Sequence, residues 1–268
     1  MIRFSESSTL LGREQLQAIR SMTTMTATQD AGAALAASEP LEIVNIQGVR
    51  VPIDPRLMSE MMQKVIRSGR YEGSEAARIP MLVETGERVL EIGGGIGFLS
   101  TLIAKENKAE TIVVFEANPG LIELIETTHR LNGVQAIVRN EIIMGRKTGD
   151  TLPFYLHQHF WASSMMWVKK RHCIGVVQIP QVAFAEVLRD YAPTLLVVDI
   201  EGGEFSLFDN VDLTTVRKAL IEVHEKVIGG AGVKSVFDFF SAQGFYYDPL
   251  GSEGRVVLFR RLEETPAS

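Results

Sequence analysis

The sequence contains a single cysteine, Cys173, among its 268 residues. No disulfide can form within the chain, which is the usual situation in a reducing compartment. Cys173 belongs to the apolar run "CIGVVQI", which favours a small core residue over a reactive thiol. The sequence also lacks an apolar run of about 20 residues, the length needed to cross a bilayer, and its first residues lack the pattern of a secretion signal. We therefore expect a cytoplasmic protein with no membrane partner.

Clusters of positive charge are equally scarce. The chain has 27 Lys and Arg against 33 Asp and Glu, a net charge of -6, and its densest basic stretch is "VKKRH" at 168–172. Because binding to a phosphate backbone draws on clustered Lys and Arg, this balance predicts no nucleic-acid partner. The hydrophobic share of 46% is that of an ordinary globular protein with a substantial core.

Composition divides the chain into three parts. Residues 1–40 are rich in Ser, Thr, Ala and Gln and have few large apolar side chains, so we predict a flexible N-terminal arm, which the subunits of a homodimer could exchange. Residues 41–87 are predicted to form a small N-terminal addition that packs on the core. The addition begins with the hairpin pattern "LEIVNIQGVRVPID" and continues with helical spacing.

Residues 88–262 alternate between buried strands and helices. The predicted core strands are "RVLEIGG", "TIVVFEA", "QAIVRN", "TLLVVDIEGGE" and "KALIEVHE", and two more strands follow as a terminal hairpin. Short strands at about 141–180 are predicted to form an antiparallel insertion. Because strands that alternate with helices pair in parallel through right-handed crossovers, the pattern predicts an α/β fold with a doubly wound, mostly parallel sheet.

The stretch "VLEIGGGIGFLS" places a glycine-rich turn after the first core strand. A dinucleotide-binding turn reads G-x-G-x-x-G, which here requires a glycine at the position of Phe98. The glycines lie instead at Gly93, Gly95 and Gly97, in the pattern E-x-G-x-G-x-G that starts at Glu91. This pattern resembles the first motif of class I S-adenosylmethionine-dependent methyltransferases.

The resemblance implies a set of cofactor-binding residues. Glycines let the backbone pass close to a ligand, and the carboxylate of Glu91 could attract the ammonium group of the cofactor directly or through water. Glu116, at the end of the second strand, would accept the ribose hydroxyls. The residues expected to contact the cofactor are Glu91, Gly93, Gly95, Gly97, Phe98, Glu116, Ala117, Asn118, Asn140, Glu141 and Asp199, of which Asn140 and Glu141 would lie at the adenine.

Three further segments resemble the FkbM-type methyltransferases. These segments are "LLVVDIEGGEFSLF", "ALIEVHE" and the entry segment "IRSGRYEGSEAARIPMLVETGERVLEIGGGIG", and the similarity runs from about Leu41 to Arg260. The resemblance implies a seven-stranded Rossmann-like sheet whose last strand inserts antiparallel. It also implies O-methylation of a hydroxyl on a small metabolite, a sugar or a polyketide.

Candidate catalytic residues follow the fourth and fifth strands. Asp199, Glu201 and His224, with Glu204 and Glu222 nearby in sequence, form an acidic group with one imidazole. Asp199 or His224 could act as general base on the acceptor hydroxyl. Oxygen ligands are plentiful enough for a divalent cation such as Mg²⁺, although acids at strand ends also commonly cap helices or pair with Lys and Arg.

The insertion carries several aromatic and polar side chains. An acceptor wall over the cleft could draw on His157, His159, Trp161, Ser163 and Trp167.

Two other functions stay open on the sequence alone. The first is an NAD(P)-dependent oxidoreductase, against which Phe98 and the terminal hairpin argue. The second is a non-catalytic scaffold that keeps an S-adenosylmethionine site without turnover; the retention of Glu91, Glu116 and Asp199 argues against it.

Overall fold

The computed structural model describes residues 41–157, 159–160, 163–165, 173–209 and 211–262. The predicted N-terminal arm, Trp161, Trp167 and the basic stretch at 168–172 lie outside these residues. Within the described ranges, no helix is both long and apolar enough to cross a membrane.

Twelve strands and eight helices make up the described chain. The strands are β1 (Glu42–Ile46), β2 (Val49–Ile53), β3 (Glu87–Ile92), β4 (Ala109–Phe115), β5 (Ile137–Arg139), β6 (Ile142–Met144), β7 (Thr151–His157), β8 (Cys173–Ala183), β9 (Leu195–Val198), β10 (Lys218–Glu222), β11 (Phe245–Glu253) and β12 (Val256–Arg261). The helices are α1 (Glu60–Arg67), α2 (Gly73–Ala76), α3 (Ile79–Leu82), α4 (Phe98–Lys105), α5 (Pro119–Asn132), α6 (Phe184–Tyr191), α7 (Glu204–Leu207) and α8 (Glu225–Ala242).

Seven strands form the central sheet in the order β11-β12-β10-β9-β3-β4-β5. Strands β5, β4, β3, β9 and β10 pair in parallel. The last strand, β12, inserts between β10 and β11 and is antiparallel to both. The predicted fold class, a doubly wound and mostly parallel seven-stranded sheet with an antiparallel last strand, is confirmed.

Alternating side chains of the core strands enter two separate apolar layers. In β9, Leu195 and Val197 pack in one layer, with the helices α1 and α4, whereas Leu196 and Val198 pack in the other, with α6 and α8. This alternation follows from the two-residue period of a strand, and the burial of both faces requires strands that are apolar throughout. The sheet is thus rigid, and its strand ends are fixed positions for functional side chains.

Two helical segments depart from a simple reading of the sequence pattern. The segment 70–87 forms two short helices, α2 and α3, because Pro80 cannot donate a helical hydrogen bond and starts a new turn. The apolar pattern from Pro180 becomes helical only at Phe184, since Gln181 and the next two residues belong to β8 and pair with β6.

The insertion forms a second, three-stranded sheet. Its order is β6-β8-β7, with β7 antiparallel to β8 and β6 parallel to β8. The side chain of Gln181 joins the strands: its Oε1 accepts from the Thr148 amide at 3.2 Å and its Nε2 donates to the Thr151 carbonyl at 2.8 Å.

A buried ion pair lies where β3 and β10 begin. Lys218 Nζ donates to Glu87 Oε2 at 2.7 Å and to the Leu82 carbonyl at 2.6 Å, and both charged side chains are almost inaccessible to water. Thr194 Oγ1 donates to the other oxygen of Glu87 at 2.5 Å. Burial opposes the ionisation of Glu87, but its hydrogen bonds to Lys218 and Thr194 hold its pKa below the usual value.

We expect Lys218→Ala to lower the free energy of unfolding by about 3 kcal/mol, because it removes the buried cation of Glu87 and leaves this carboxylate only the half-exposed Arg217, at 3.0 Å. Urea unfolding followed by circular dichroism measures this change. The matched control is Lys234→Ala, whose exposed ion pair with Asp238 contributes at most about 1 kcal/mol. Equal losses in the two variants would contradict the assigned role of the buried pair.

Candidate functional site

The glycine turn after β3 passes close to the loop after β9. Gly93 has φ +92°, and a Cβ at this position would lie 1.7 Å from the carbonyl oxygen of Asp199. Gly95 has φ +53°, and its Cβ would lie 2.7 Å from the hydroxyl of Tyr71. Gly97, with φ +75°, precedes the first turn of α4. A residue with a side chain would therefore break the turn at Gly93, both by its backbone angle and by collision.

A cleft opens above this turn at the carboxyl ends of β3, β4 and β9. It encloses about 770 Å³ of space, including open solvent at its mouth. The lining combines bare backbone, acids and apolar side chains: Tyr71, Glu72, Ile92, Gly93, Gly95, Phe115, Glu116, Ala117, Leu121, Glu141, Ile142, Ile143, Phe154, Phe160, Ser163, Met165, Asp199, Ile200 and Glu201.

Glu116 lines the cleft and is held by the backbone. Its two oxygens accept hydrogen bonds from the amides of Gly95 at 3.0 Å and Asn118 at 2.7 Å. Burial raises the pKa of Glu116 to about 7, and the amide hydrogen bonds act in the opposite direction. Each carboxylate oxygen keeps a lone pair, so the side chain can still accept hydrogen bonds from a diol, as the ribose role requires.

Glu91 lies beneath the turn and is not among the residues that line the cleft. Its side chain is buried against Ser100, and burial raises its pKa to about 8. Ser100 also contacts His129 Nε2 at 2.9 Å, and burial lowers the pKa of His129 to about 4. The position favours support of the glycine turn over the direct contact with a ligand expected from the sequence.

The other expected cofactor residues divide into two groups. Ala117 and Glu141 line the cleft, and Glu141 also pairs with Arg139 at 2.8 Å. The remaining three face elsewhere: Phe98 is fully buried in the core, Asn118 caps α5 by accepting from the Gly120 amide, and Asn140 donates to the carbonyls of residues 116 and 117. Their contacts position the backbone of the site.

The three candidate catalytic residues come together at one side of the cleft. His224 Nε2 lies 3.6 Å from Asp199 Oδ1 and 3.7 Å from Glu201 Oε2. His224 Nδ1 lies 2.6 Å from Glu204 Oε1, on a side chain that is fully buried. Asp199 and Glu201 line the cleft, whereas His224 lies behind them with 4% of its side chain exposed.

Burial and neighbouring charges alter the acid–base properties of this group. Burial and the charge of Glu222 raise the pKa of Asp199 well above its ordinary value. Burial opposes protonation of His224, but its hydrogen bond to Glu204 and the charge of Asp199 raise its pKa to about 9.

Sequence reasoning missed two ionisable side chains of the cleft, the phenol of Tyr71 and the carboxyl group of Glu72. Burial raises the pKa of both side chains, which lie against each other and against the glycine turn. Glu72 takes the left-handed conformation at φ +45° and begins α2. The "YEG" triplet was visible in the sequence, but local spacing could not show that the segment before β3 returns to the turn after it.

The proposed acceptor wall is only partly described. Ser163 lines the cleft together with Phe154, Phe160 and Met165. His157 and His159 are not among the lining residues; they contact each other, with the His159 amide donating to His157 Nδ1 at 3.0 Å.

Comparison with known proteins identifies a related domain. Residues 44–149 match the model of the TRM5/TYW2 methyltransferase domain, a match that covers less than half of the chain. No curated protein matches the chain.

Two solved structures are among those similar to the chain. Trm5b from Pyrococcus abyssi is 13% identical, with a TM-score of 0.45 over 83% of this chain and 56% of that chain. M. jannaschii TYW2 in complex with AdoMet is 12% identical, with a TM-score of 0.43 over 85% of this chain and 90% of that chain. This chain thus spans just over half the length of P. abyssi Trm5b.

The match confirms the class of fold and the cofactor, S-adenosylmethionine. The bare backbone at Gly93 and Gly95 and the diol-binding carboxylate of Glu116 fit that ligand. The match to a methyltransferase domain does not favour an NAD(P)-dependent oxidoreductase.

Two predictions from the sequence are wrong. The assignment to the FkbM family is replaced by the match to the TRM5/TYW2 domain. Of the features that suggested FkbM, the glycine turn resembles the first motif of class I methyltransferases in general, so it does not separate one methyltransferase family from another. The exclusion of a nucleic-acid partner also fails, since the matched family modifies tRNA. Net charge averages over the whole chain, whereas RNA binding needs only a local positive surface.

We expect Gly93→Ala to abolish S-adenosylmethionine binding and to lower the melting temperature, because the added Cβ collides with the Asp199 carbonyl. Calorimetric titration and thermal unfolding measure the two effects. The control is Gly230→Ala, where a Cβ meets nothing within 4 Å and where we expect no loss of binding. Retained cofactor affinity in a folded Gly93→Ala protein would contradict the assigned cradle.

We expect Glu91→Gln to weaken the pH dependence of stability. The folded-state pKa of about 8 lies above the ordinary value of 4.5, so the contribution of Glu91 is complete below pH 4.5 and is lost as the pH rises through 8. Urea unfolding at pH 5 and pH 9 measures how far the free energy of unfolding falls between these two pH values. This decrease should be smaller in the variant than in the wild type by on the order of 3 kcal/mol. The nearby titrating groups are Glu116 and His129, the second of which contacts Ser100 beside Glu91. Both groups are still present in the variant. Glu110→Gln, on the exposed start of β4, is the control, and identical pH profiles in all three proteins would refute the assignment.

Proposed function

We propose that this protein transfers a methyl group from S-adenosylmethionine to a nucleoside of a tRNA. The observation that carries this proposal is the match of residues 44–149 to the TRM5/TYW2 methyltransferase domain. The matched residues include the glycine turn after β3 and Glu116, which follows β4. Both features support the binding of the cofactor. The acids after β9 and β10 lie outside the match, so the acceptor has to be established by experiment.

The roles of the cofactor-binding residues follow from their positions. When bound, S-adenosylmethionine supplies a methyl group on a positively charged sulfur, which leaves as a neutral thioether. Gly93 and Gly95 let the backbone approach the ligand, and Glu116 is placed to accept hydrogen bonds from its ribose. The apolar side chains of Phe154, Phe160 and Met165 limit the access of water to the cleft.

Asp199 is the side chain best placed to orient the acceptor. It lines the cleft beside Gly93, so it adjoins the cofactor cradle. Its carboxylate can accept a hydrogen bond from an N–H or O–H of the acceptor and take the proton that the acceptor loses on methylation. His224 lies directly behind it and can share that proton.

Local positive charge supports an RNA acceptor. Arg146 and Lys147 follow β6, whose first residues line the cleft, and both side chains are exposed. A short exposed basic segment that follows a cleft-lining strand can contact the phosphate backbone of an RNA, even when the protein as a whole has a net negative charge.

O-methylation of a small hydroxylated metabolite is the second candidate. It is favoured by the acidic group itself, because carboxylates at the acceptor side repel phosphate and suit a neutral hydroxyl that has to lose a proton.

We expect the protein to transfer labelled methyl groups to unmodified tRNA, and Asp199→Asn to lower the turnover at least about 100-fold. The affinity for S-adenosylmethionine, measured by calorimetry, should change less than about threefold, since Asp199 serves the acceptor. Asp150→Asn, an exposed carboxylate on the insertion, is the control.

Two results would count against this account. Equal losses of turnover and cofactor affinity in Asp199→Asn would show that Asp199 serves cofactor binding. Label that enters small hydroxylated compounds but not tRNA would favour the second candidate.

A further inference from the structure

The atoms around His224 Nε2 form a compact group of potential metal ligands. Asp199 Oδ1 and Glu201 Oε2 lie 3.6 and 3.7 Å away, and Glu222 Oε2 lies 3.8 Å away. The ligand atoms of Asp199, Glu201 and His224 all lie within 4.8 Å of one another. Ligands on one ion, with bonds of about 2.1 Å, are separated by roughly 3.0–4.2 Å, so the group needs little movement to share an ion.

The orientation of the imidazole is fixed from behind. His224 Nδ1 lies 2.6 Å from Glu204, whose fully buried carboxylate also accepts the Gly202 amide at 3.3 Å. A carboxylate at this distance holds a proton on Nδ1, so Nε2 is the nitrogen that gives up its proton when the ring binds an ion. A carboxylate behind a histidine is the usual support of a metal-binding imidazole.

One buried atom of this group lacks a hydrogen-bond partner among the described residues. Asp199 Oδ1 is inaccessible to water and accepts no hydrogen bond. The side chain of His224 is 4% exposed, and the carboxylate oxygens around its Nε2 lie at 3.6–3.8 Å. A buried carboxylate oxygen is rarely left without a partner, and a cation between Asp199 Oδ1 and His224 Nε2 would contact both atoms.

We propose that Asp199, Glu201 and His224 bind a divalent transition-metal ion, with Mn²⁺ as the ion that fits the donor set. Two carboxylates and one imidazole suit Mn²⁺, whereas Mg²⁺ prefers oxygen ligands alone. Because one ligand is an imidazole, a softer ion fits this site better than Mg²⁺, the example of a divalent cation that the sequence allowed. Glu222, which also pairs with Arg255 at 2.6 Å, lies close enough to be a further ligand.

The backbone presents these ligands from two neighbouring strand ends. Asp199 directly follows β9, and Glu201 takes φ +48°, which turns the chain so that both carboxylates line the cleft. His224 follows the adjacent strand β10. The ion would border the cleft, and its open coordination positions would accept an oxygen atom of the methyl acceptor. The site is independent of whether that acceptor is a tRNA.

Titration of the metal-free protein with Mn²⁺, followed by the electron paramagnetic resonance signal of the free ion, tests the proposal. We expect one Mn²⁺ per chain in the wild type and at least about tenfold weaker binding in Asp199→Asn and in Glu201→Gln. Glu201 is the safer position, because 30% of its side chain is exposed. Glu225→Gln, an exposed acid next to His224 in sequence, is the matched control and should bind as the wild type does.

Each other outcome overturns the proposal. The site is rejected if the wild type does not bind Mn²⁺ at 1:1, or if both variants bind it as well as the control while their thermal unfolding is unchanged. If equimolar Mg²⁺ displaces Mn²⁺, the imidazole is not a ligand and the assigned ion is wrong. Calorimetry with S-adenosylmethionine on the same samples tests the proposed function separately. A protein that fails to bind the cofactor can still bind Mn²⁺, so failure of one proposal is distinguishable from failure of the other.

Discussion

The close approach between the turn after β3 and the loop after β9 is the constraint on which the site depends. The parallel pairing of β3 with β9 brings Gly93 against the carbonyl of Asp199, at a distance that leaves no room for a side chain. One contact therefore joins the two halves of the site: the bare backbone of the cofactor cradle and the acids on the acceptor side. The rigidity of the sheet, buried on both faces, keeps the two halves in register.

Carboxylates accumulate around this contact in numbers that a protein interior does not tolerate without compensation. The structure compensates them in different ways. Glu116 is held by backbone amides, Glu87 at the opposite end of β3 is held by Lys218, and Glu204 is held by His224. Oδ1 of Asp199 accepts no hydrogen bond from the residues described, as is also true of one oxygen each of Glu91 and Glu204, but of these three acids only Asp199 lines the cleft. An unpartnered carboxylate oxygen on the cleft marks the position where a ligand is expected.

The correction of family shows how far motifs reach. Gly93, Gly95 and Glu116 are required by the cofactor, so any protein that binds it in this fold needs similar residues there. Such residues identify the cofactor correctly and the family poorly. The charge argument has a similar limit, because a net charge of -6 describes the whole chain and not a local segment such as the exposed Arg146 and Lys147.

The sequence by itself determined the alternation of strands and helices and the mostly parallel sheet, and its resemblance to class I methyltransferases indicated the inserted last strand and the identity of the cofactor. These inferences depend on local patterns: the apolar run of each strand and the glycine spacing. Only the tertiary structure decided that Glu91 lies beneath the turn, that Tyr71 and Glu72 border the cleft, and that Glu204 fixes His224. Contacts of this kind join residues far apart in the chain, and their geometry depends on strand register and packing, which no local pattern encodes.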